Sequence, residues 1–282
     1  MYKDFFHLER NPFDLTPDPR CFVPTPRHYE ALSTLYYGVR SHKGFVVVSG
    51  EVGTGKTLLL RCLLGILNNS SDILCAYVFN SRLTPTDLLQ YILSDFGLQA
   101  SGKNRCELLV DLSKFVIERG ALGMTTALIV DEAHDLSSDS MEELRLLSNL
   151  ETAEDKLLQI VLAGQPELDE KLDCIEHRQL KQRIALRTRL DALTECQTQE
   201  YIEQRLRIAG ADANATPILS QDAIAALYTH SRGIPRLINT ICDNALISAY
   251  AKQIPTVTEA IVEEVAKELR VEPCLDATGK AK

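Results

Sequence analysis

Short runs of apolar residues alternate with longer amphipathic segments through the first part of the chain. Four runs, at 44–49, 74–79, 126–130 and 157–163, are rich in aliphatic residues and predict strands. We expect the first to be buried on both faces and the second to be buried as well. Between them, apolar residues recur every three or four positions, which predicts helices at 28–40, 58–67, 105–119 and 141–150, and another that opens at Thr84-Pro85. This alternation of strands and helices predicts an α/β fold, a parallel sheet with helices on both faces.

The strand signals stop after about Leu193. Helical patterns follow at 199–209, 221–230, 235–250 and 259–269, and they predict a second, all-helical domain. The expected organisation is an N-terminal arm at 1–27, an α/β domain at 28–193, a helical domain at 194–271 and a flexible tail at 272–282.

The N-terminal arm combines prolines with aromatic residues. Proline occupies positions 12, 17, 19, 24 and 26, and phenylalanine occupies positions 5, 6, 13 and 22. Because proline removes a backbone donor and excludes regular helix, we expect an extended arm that packs onto the body of the protein through its aromatic rings.

Composition narrows the class of protein. The 282 residues are 45% hydrophobic, enough to fill two cores, and the net charge of −9 gives the whole molecule no general attraction to nucleic acid or anionic lipid. The chain opens without a signal-peptide pattern and has no apolar run of the roughly 18 residues that a membrane helix requires. The eight cysteines form no CxxC pair, and we expect reduced, mostly buried thiols in a cytoplasmic protein.

A glycine-rich loop follows the first predicted strand and precedes a helix. The segment from Gly50 to Thr57 fits the pattern G-x-x-x-x-G-K-[ST], in which backbone amides surround phosphate oxygens. Lys56 is expected at the β- and γ-phosphates of ATP, and Thr57 at Mg²⁺. A plain glycine turn is the alternative. The residues expected to contact nucleotide are Gly50, Glu51, Val52, Gly53, Thr54, Gly55, Lys56, Thr57 and Leu58.

Two acids end the predicted strand 126–130. The carboxyl ends of parallel strands face the ligand crevice, so Asp131 is the expected Mg²⁺-side carboxylate and Glu132 the base that polarises the attacking water. The pair could instead cap the next helix. His134 completes the string Asp-Glu-Ala-His, and we interpret it as an orienting or structural residue.

Gln165 lies just beyond the predicted strand at 157–163. Its amide could sense the γ-phosphate or hold the attacking water, and the alternative is an ordinary loop amide.

A basic cluster follows, formed by Arg178, Lys181, Arg183, Arg187 and Arg189. One hypothesis is an arginine finger that reaches the ATP of a neighbouring subunit, with Arg183 preferred and Arg178 second. The alternatives are a solvated helix face with surface ion pairs and a small DNA-contacting patch.

The segment Gly233-Ile234-Pro235-Arg236 opens a helix in the second domain, with Pro235 at its first position. We expect Arg236 to reach the γ-phosphate when this domain closes and to report whether ATP or ADP is bound.

With these residues in place, the chain resembles AAA+ ATPases whose helical lid carries a Gly-x-Pro-Arg sensor. More narrowly, it resembles the ATPase region of the general secretion pathway protein A family, through stretches at 5–8, 11–19, 28–32, 37–38, 50–57, 131–134, 158–168 and 233–236. The arm is the most specific of these stretches, since generic AAA+ proteins lack it. The resemblance implies a P-loop NTPase three-layer αβα core followed by a helical lid.

The same resemblance implies ATP-driven assistance in assembling an envelope-spanning secretion apparatus, a pilus or an exopolysaccharide system. The expected partners are further copies of the chain, in a nucleotide-dependent homo-oligomer such as a hexamer, and proteins of the envelope or secretion complex. The expected place is the cytoplasm, including the periphery of the inner membrane. A DNA-associated ATP switch, such as a transposition helper or an initiator-like protein, is the alternative.

Overall fold

The computed structural model describes residues 1–16, 18–79, 82–152, 155–212 and 216–271. The predicted tail at 272–282, Cys274 and Pro17 lie outside them. Contacts between Cα atoms divide the chain into two compact units. We call them the α/β unit, residues 26–51 and 56–190, and the helical unit, residues 1–25, 52–55 and the chain from Asp191 onward.

Five parallel strands form the sheet of the α/β unit. They are β1 (Phe45–Gly50), β2 (Ile73–Val78), β3 (Thr125–Val130), β4 (Leu158–Gly164) and β5 (Ile184–Leu190), in the order β2-β3-β4-β1-β5. Every residue of β1, β3 and β4 is buried, as expected for parallel strands with helices on both faces. The predicted parallel sheet is confirmed, and the four predicted strands lie within one residue of β1 to β4.

The fifth strand was not predicted. Residues of β5 alternate between partial burial and exposure up to the buried Leu190, because the strand pairs only with β1 and forms an edge of the sheet. Arg187 and Arg189 belong to the exposed set. Neither arginine lies on a helix face, since their spacing of two residues is that of a strand.

The helices of the described residues are α1 (Tyr2–Phe5), α2 (Pro26–Arg40), α3 (Lys56–Asn68), α4 (Pro85–Asp95), α5 (Arg105–Ala121), α6 (Ser138–Leu147), α7 (Pro166–Asp173), α8 (Arg178–Lys181), α9 (Glu195–Ile208), α10 (Gln221–Ser231), α11 (Pro235–Ala251) and α12 (Glu259–Glu268). The predicted start of α4 is confirmed. The Thr84 hydroxyl accepts a hydrogen bond from the Asp87 amide, and Pro85 occupies the first helical position.

Alternate residues of the strands face two different sets of helices. Phe45 and Val47 of β1 share a core with buried leucines of α4 to α8. On the opposite side, α2 approaches the sheet so closely that a Cβ added to Gly38 would lie 2.3 Å from Val46 Cγ2. Both faces of the sheet are therefore covered, and its strand ends are the places where polar side chains can gather.

The arm and helices α9 to α12 share the core of the helical unit. Phe6, Leu8 and Phe13 of the arm pack with buried residues such as Ile202 and Leu246. The arm is not extended throughout, because Tyr2–Phe5 forms a short helix and Pro19–Cys21 forms a 3₁₀ turn. Its aromatic packing nevertheless ties it to the helices, since Phe13 is only 1% exposed.

A buried arginine holds the arm to α9. Arg205 donates from Nε to the Pro12 carbonyl (2.6 Å), from Nη2 to the Asp14 carbonyl (3.2 Å) and from Nη1 to the Tyr201 hydroxyl (3.1 Å). Its side chain therefore supplies donors to backbone carbonyls of a segment that lacks regular secondary structure.

Most of the described cysteines are at least partly exposed. Among the seven described cysteines, all free, Cys242 is buried, whereas Cys106, Cys174 and Cys196 are exposed. The expectation of mostly buried thiols is therefore wrong, because most of these cysteines lie on the outer faces of helices or at helix ends.

None of the described helices is both long and apolar enough to cross a membrane.

Candidate functional site

The lysine of the glycine-rich loop lies at the carboxyl end of β1. Lys56 is the first residue of α3 and is 5% exposed, and its Nζ donates to the carbonyls of Gly50 (2.7 Å) and Glu51 (2.9 Å). Burial lowers the pKa of Lys56, and the negative charges of Glu132 and Asp131 oppose that shift. The ammonium group thus lies close to the acids that follow β3.

Asp131 joins the loop to the end of β3. Its Oδ2 accepts hydrogen bonds from Thr57 Oγ1 (2.8 Å) and Tyr77 Oη (2.9 Å), and its Oδ1 accepts one from the Glu132 amide (2.9 Å). Asp131 is buried, with only 3% of the residue's surface exposed. Sequence reasoning brought Thr57 and Asp131 to one site, and the structure brings their oxygens into contact.

The Thr57–Asp131 pair suits a hard cation. Carboxylate and hydroxyl oxygens are ligands that Mg²⁺ accepts, and Mg²⁺ bound with a nucleotide takes few protein ligands and several phosphate or water oxygens. Because the Thr57 hydroxyl donates a hydrogen bond to Asp131, the lone pairs of its oxygen are available to a cation. Thr57 and Asp131 are therefore the residues that would hold Mg²⁺.

Tyr77 was missed by sequence reasoning. It lies in β2, paired in register with Ile129 of β3, and its hydroxyl reaches Asp131 across the end of that strand. Burial raises the pKa of Tyr77, and the neighbouring Asp131 carboxylate raises it further, so the hydroxyl stays protonated and donates. A tyrosine within an apolar strand carries no signal that separates such a contact from ordinary packing.

Glu132 has a strained backbone and a carboxylate oxygen without a hydrogen bond. Its φ and ψ are 49° and 39°, in the left-handed region that non-glycine residues seldom adopt. Its Oε2 has no hydrogen-bond partner among the described residues and lies 3.4 Å from His134 Nδ1. Glu132 precedes the 3₁₀ turn Ala133–Asp135 without a side-chain capping bond, so the capping alternative has no support here.

Gln165 and His134 contact each other. Gln165 follows β4, which lies between β1 and β3 in the sheet, and its side-chain Nε2 is 3.0 Å from His134 Nε2. The backbone amide of Gln165 donates to His134 Nδ1 (3.4 Å), and Lys171 Nζ donates to the His134 carbonyl (2.5 Å). Together with Glu132, these residues form a polar group at the carboxyl ends of β3 and β4.

In the helical unit, the tip of the glycine-rich loop lies against the start of α11. The Arg236 amide donates to the Gly53 carbonyl (3.2 Å). Gly53 has φ +83°, and a Cβ there would lie 2.7 Å from Arg236 Cβ and 3.0 Å from Ile234 Cγ2. Position 53 therefore requires glycine for its backbone conformation and for the close approach of residues 234 and 236.

Glycine is also required where α11 begins. Gly233 has φ +70°, and a Cβ there would lie 1.9 Å from the Leu193 carbonyl oxygen. The Gly233 carbonyl accepts a hydrogen bond from the Leu193 amide (2.8 Å), and Pro235 opens the helix as predicted. These contacts fix the position of Arg236 beside the loop tip.

The candidate arginine fingers have different surroundings. Arg183 Nη1 donates to the Arg145 carbonyl (2.8 Å) and to Ser148 Oγ (2.5 Å), both at the carboxyl end of α6. The Arg178 side chain is exposed and makes no hydrogen bond or ion pair within the described part of the chain. Arg187 pairs with Asp169 at 3.5 Å.

The loop between β1 and α3 has the P-loop pattern, and residues 39–172 match the AAA domain family. The chain therefore contains an AAA domain with the P-loop NTPase fold. Its sequence is 44% identical over 253 residues to General secretion pathway protein A of Aeromonas hydrophila, a match that covers 89% of this chain and 45% of that relative. The predicted resemblance is thereby confirmed, and the chain spans about half the length of the relative.

Solved structures share the fold. Cdc6p from Pyrobaculum aerophilum is 19% identical with a TM-score of 0.70, and the match covers 91% of this chain and 70% of that one. The Aeropyrum pernix ORC1 protein, solved in complex with DNA, is also 19% identical, with a TM-score of 0.68 and coverage of 92% and 69%. Because identity is low, these likenesses concern the fold alone.

Proposed function

We propose that the chain binds ATP with Mg²⁺ and hydrolyses it. The observation that carries the proposal is the hydrogen bond from Thr57 to Asp131, because it joins the loop and the acidic strand end in the arrangement that a metal–nucleotide complex requires. The amides of Gly50 to Thr57 would surround the phosphates, and Lys56 would contact the β- and γ-phosphates. Bound Mg²⁺ would supply neutralisation of the phosphate charge.

Glu132 is the proposed general base. Its Oε2 is buried, makes no hydrogen bond to a described residue and lies 3.4 Å from His134 Nδ1. Its capacity to accept a hydrogen bond is therefore unused, and a water molecule that enters with the nucleotide would find a proton acceptor there. The left-handed backbone at this residue aims the side chain differently from that of Asp131, although the two residues are adjacent. Asp131 would thus help to hold the metal, and Glu132 would accept the proton of the attacking water.

Gln165 and His134 have a proposed orienting role. A side-chain amide beside an imidazole can hold a water or respond to the γ-phosphate, and the sheet places β4 between the loop-bearing and acid-bearing strands. His134 would then act through Gln165 and Glu132, which both lie within 3.4 Å of its ring nitrogens.

We propose that the helical unit acts as a lid in which Arg236 senses nucleotide, and that a neighbouring subunit supplies an arginine finger. Arg178 and Arg183 are the two candidates for the finger. The second would have to leave its contacts with Arg145 and Ser148, whereas the first has no such contacts within the described residues. A nucleotide-dependent homo-oligomer follows from this arrangement.

The proposed cellular role is assistance, from the cytoplasmic side of the inner membrane, in assembling a secretion apparatus or related envelope complex. Its support is the 44% identity to General secretion pathway protein A. Since this chain spans 45% of that relative, the partners and the work done on them are part of the proposal.

The central test compares Lys56→Ala and Glu132→Gln with wild type, using calorimetric ATP binding and phosphate release. Lys56→Ala should weaken ATP binding strongly. Glu132→Gln should retain binding while hydrolysis falls by roughly 10²-fold or more, because only the proton acceptor is lost. Glu170→Gln, an exposed acid of the same unit, is the matched control and should behave as wild type. Wild-type hydrolysis by Glu132→Gln would refute the assigned base.

A mixing experiment tests the finger. Lys56→Ala subunits present a finger without binding ATP well, and Arg178→Ala or Arg183→Ala subunits bind ATP without offering that finger. If the finger acts between subunits, mixing the two kinds should restore part of the lost activity. Absence of any gain at protein concentrations that support wild-type activity would count against that arginine.

A further inference from the structure

One oxygen of Asp131 receives two hydroxyl donors. Oδ2 accepts from Thr57 Oγ1 at 2.8 Å and from Tyr77 Oη at 2.9 Å, while Oδ1 accepts from the Glu132 amide. Thr57 and Glu132 belong to the motifs found in the sequence. Tyr77 belongs to none of them, and it comes from a different strand.

The backbone of Tyr77 is itself fixed. Its amide donates to Asp95 Oδ2 (2.6 Å) at the end of α4, and the residue pairs in register with Ile129 of β3. The phenol therefore reaches Asp131 from a rigid edge of the sheet. A hydroxyl placed in this way restricts rotation of the carboxylate about its last side-chain bond.

We infer that Tyr77 is a positioning residue for the Mg²⁺–nucleotide complex, one that holds the Asp131 carboxylate where it accepts the Thr57 proton. This inference rests on the proposed function. With the proton of Thr57 directed at Asp131, the lone pairs of Thr57 remain available to the metal. Without the Tyr77 hydroxyl, Asp131 loses one of the donors that orient it, and the acceptor of Thr57 is held less firmly.

Removal of the Tyr77 hydroxyl should lower the affinity for Mg²⁺. It should leave unchanged the affinity for ATP in the absence of metal. Hydrogen-bonding partners that orient metal ligands typically change metal affinity or activity by about 10–100-fold when removed. We therefore expect Tyr77→Phe to raise the Mg²⁺ concentration for half-maximal binding about tenfold. Affinity for ATP measured in EDTA should stay at the wild-type value.

The experiment titrates Mg²⁺ into protein with a fluorescent ATP analogue, and melting curves verify that each variant is folded. Tyr91→Phe is the matched control, because its ring packs edge-on against Phe79 and its hydroxyl makes no hydrogen bond within the described residues. It should titrate as wild type. Asp131→Asn with and without Tyr77→Phe completes the set.

Several outcomes overturn the inference. An unchanged Mg²⁺ midpoint in folded Tyr77→Phe would do so, as would an equal loss of ATP affinity with and without metal, which would indicate a merely structural role. If Tyr77 acts through Asp131, adding Tyr77→Phe to Asp131→Asn should not move the midpoint further. A wild-type protein that binds ATP without any Mg²⁺ dependence would instead refute the proposed function itself.

Discussion

Removal of the Arg205 guanidinium should release the N-terminal arm from the helical unit. In Arg205→Ala the carbonyls of Pro12 and Asp14 lose their donors, and the Tyr201 hydroxyl loses one partner. The buried Pro12 carbonyl, left unsatisfied, costs about 1–3 kcal/mol, and the partly buried bond to Asp14 adds less, so the free energy of unfolding should fall by about 2–4 kcal/mol. For a chain of this size, that corresponds to a drop in melting temperature of roughly 5–15 °C.

Differential scanning calorimetry and limited trypsin digestion measure the two consequences. The variant should melt earlier, and cleavage after the exposed Arg10 and Arg20 should accelerate as the arm detaches. Arg207→Ala, an exposed arginine two residues away on the same helix, is the control and should change stability by less than about 0.5 kcal/mol. Equal melting temperatures for the two variants would refute the reasoning.

Gly53→Ala should weaken ATP binding by about tenfold or more, because its Cβ would overlap Arg236 and the backbone has positive φ. The control is Gly65→Ala, a helical position with nothing within 4 Å, which should bind ATP normally. Equal affinities of the two variants would contradict the assigned packing. Burial raises the pKa of Cys75 to about 11, so its thiolate fraction at pH 8 is smaller than that of an unperturbed thiol. The rate of Cys75 alkylation, measured by mass spectrometry, should therefore keep rising up to about pH 11. A rate that levels off below pH 9 would contradict this prediction. Given the net charge of −9, duplex DNA should show no gel shift with or without ATP, and a salt-sensitive shift would instead favour the DNA-associated switch.

Strands β1, β3 and β4 and the motifs at their ends could be predicted because parallel strands buried on both faces leave continuous apolar runs. The edge strand β2 is only partly buried, and it could be predicted because its residues are nevertheless all hydrophobic. β5 could not be found in the same way, since its exposed arginines at positions 187 and 189 gave the segment the composition of a basic patch. Once the edge position is known, its alternation is the expected pattern for a half-exposed strand.

The residues of the candidate site also fall into two groups, those that the sequence predicts and those that it does not. Lys56, Thr57, Asp131 and Glu132 follow from local motifs, and a parallel sheet brings their strand ends to one edge. Tyr77 depends on the register of β2 against β3, and the contact of Gly53 with residues 234 and 236 joins segments about 180 positions apart in the chain. Such pairings need tertiary structure, because no spacing within a single segment encodes them.

The bond between the Arg236 amide and the Gly53 carbonyl involves main-chain atoms only. Any residue except proline could therefore donate it, and replacement of the arginine removes a cation without detaching helix from loop. Evolution and protein engineers alike can consequently change the chemistry offered at position 236 while keeping the mechanical linkage intact. Charge and attachment are separable properties of the same residue.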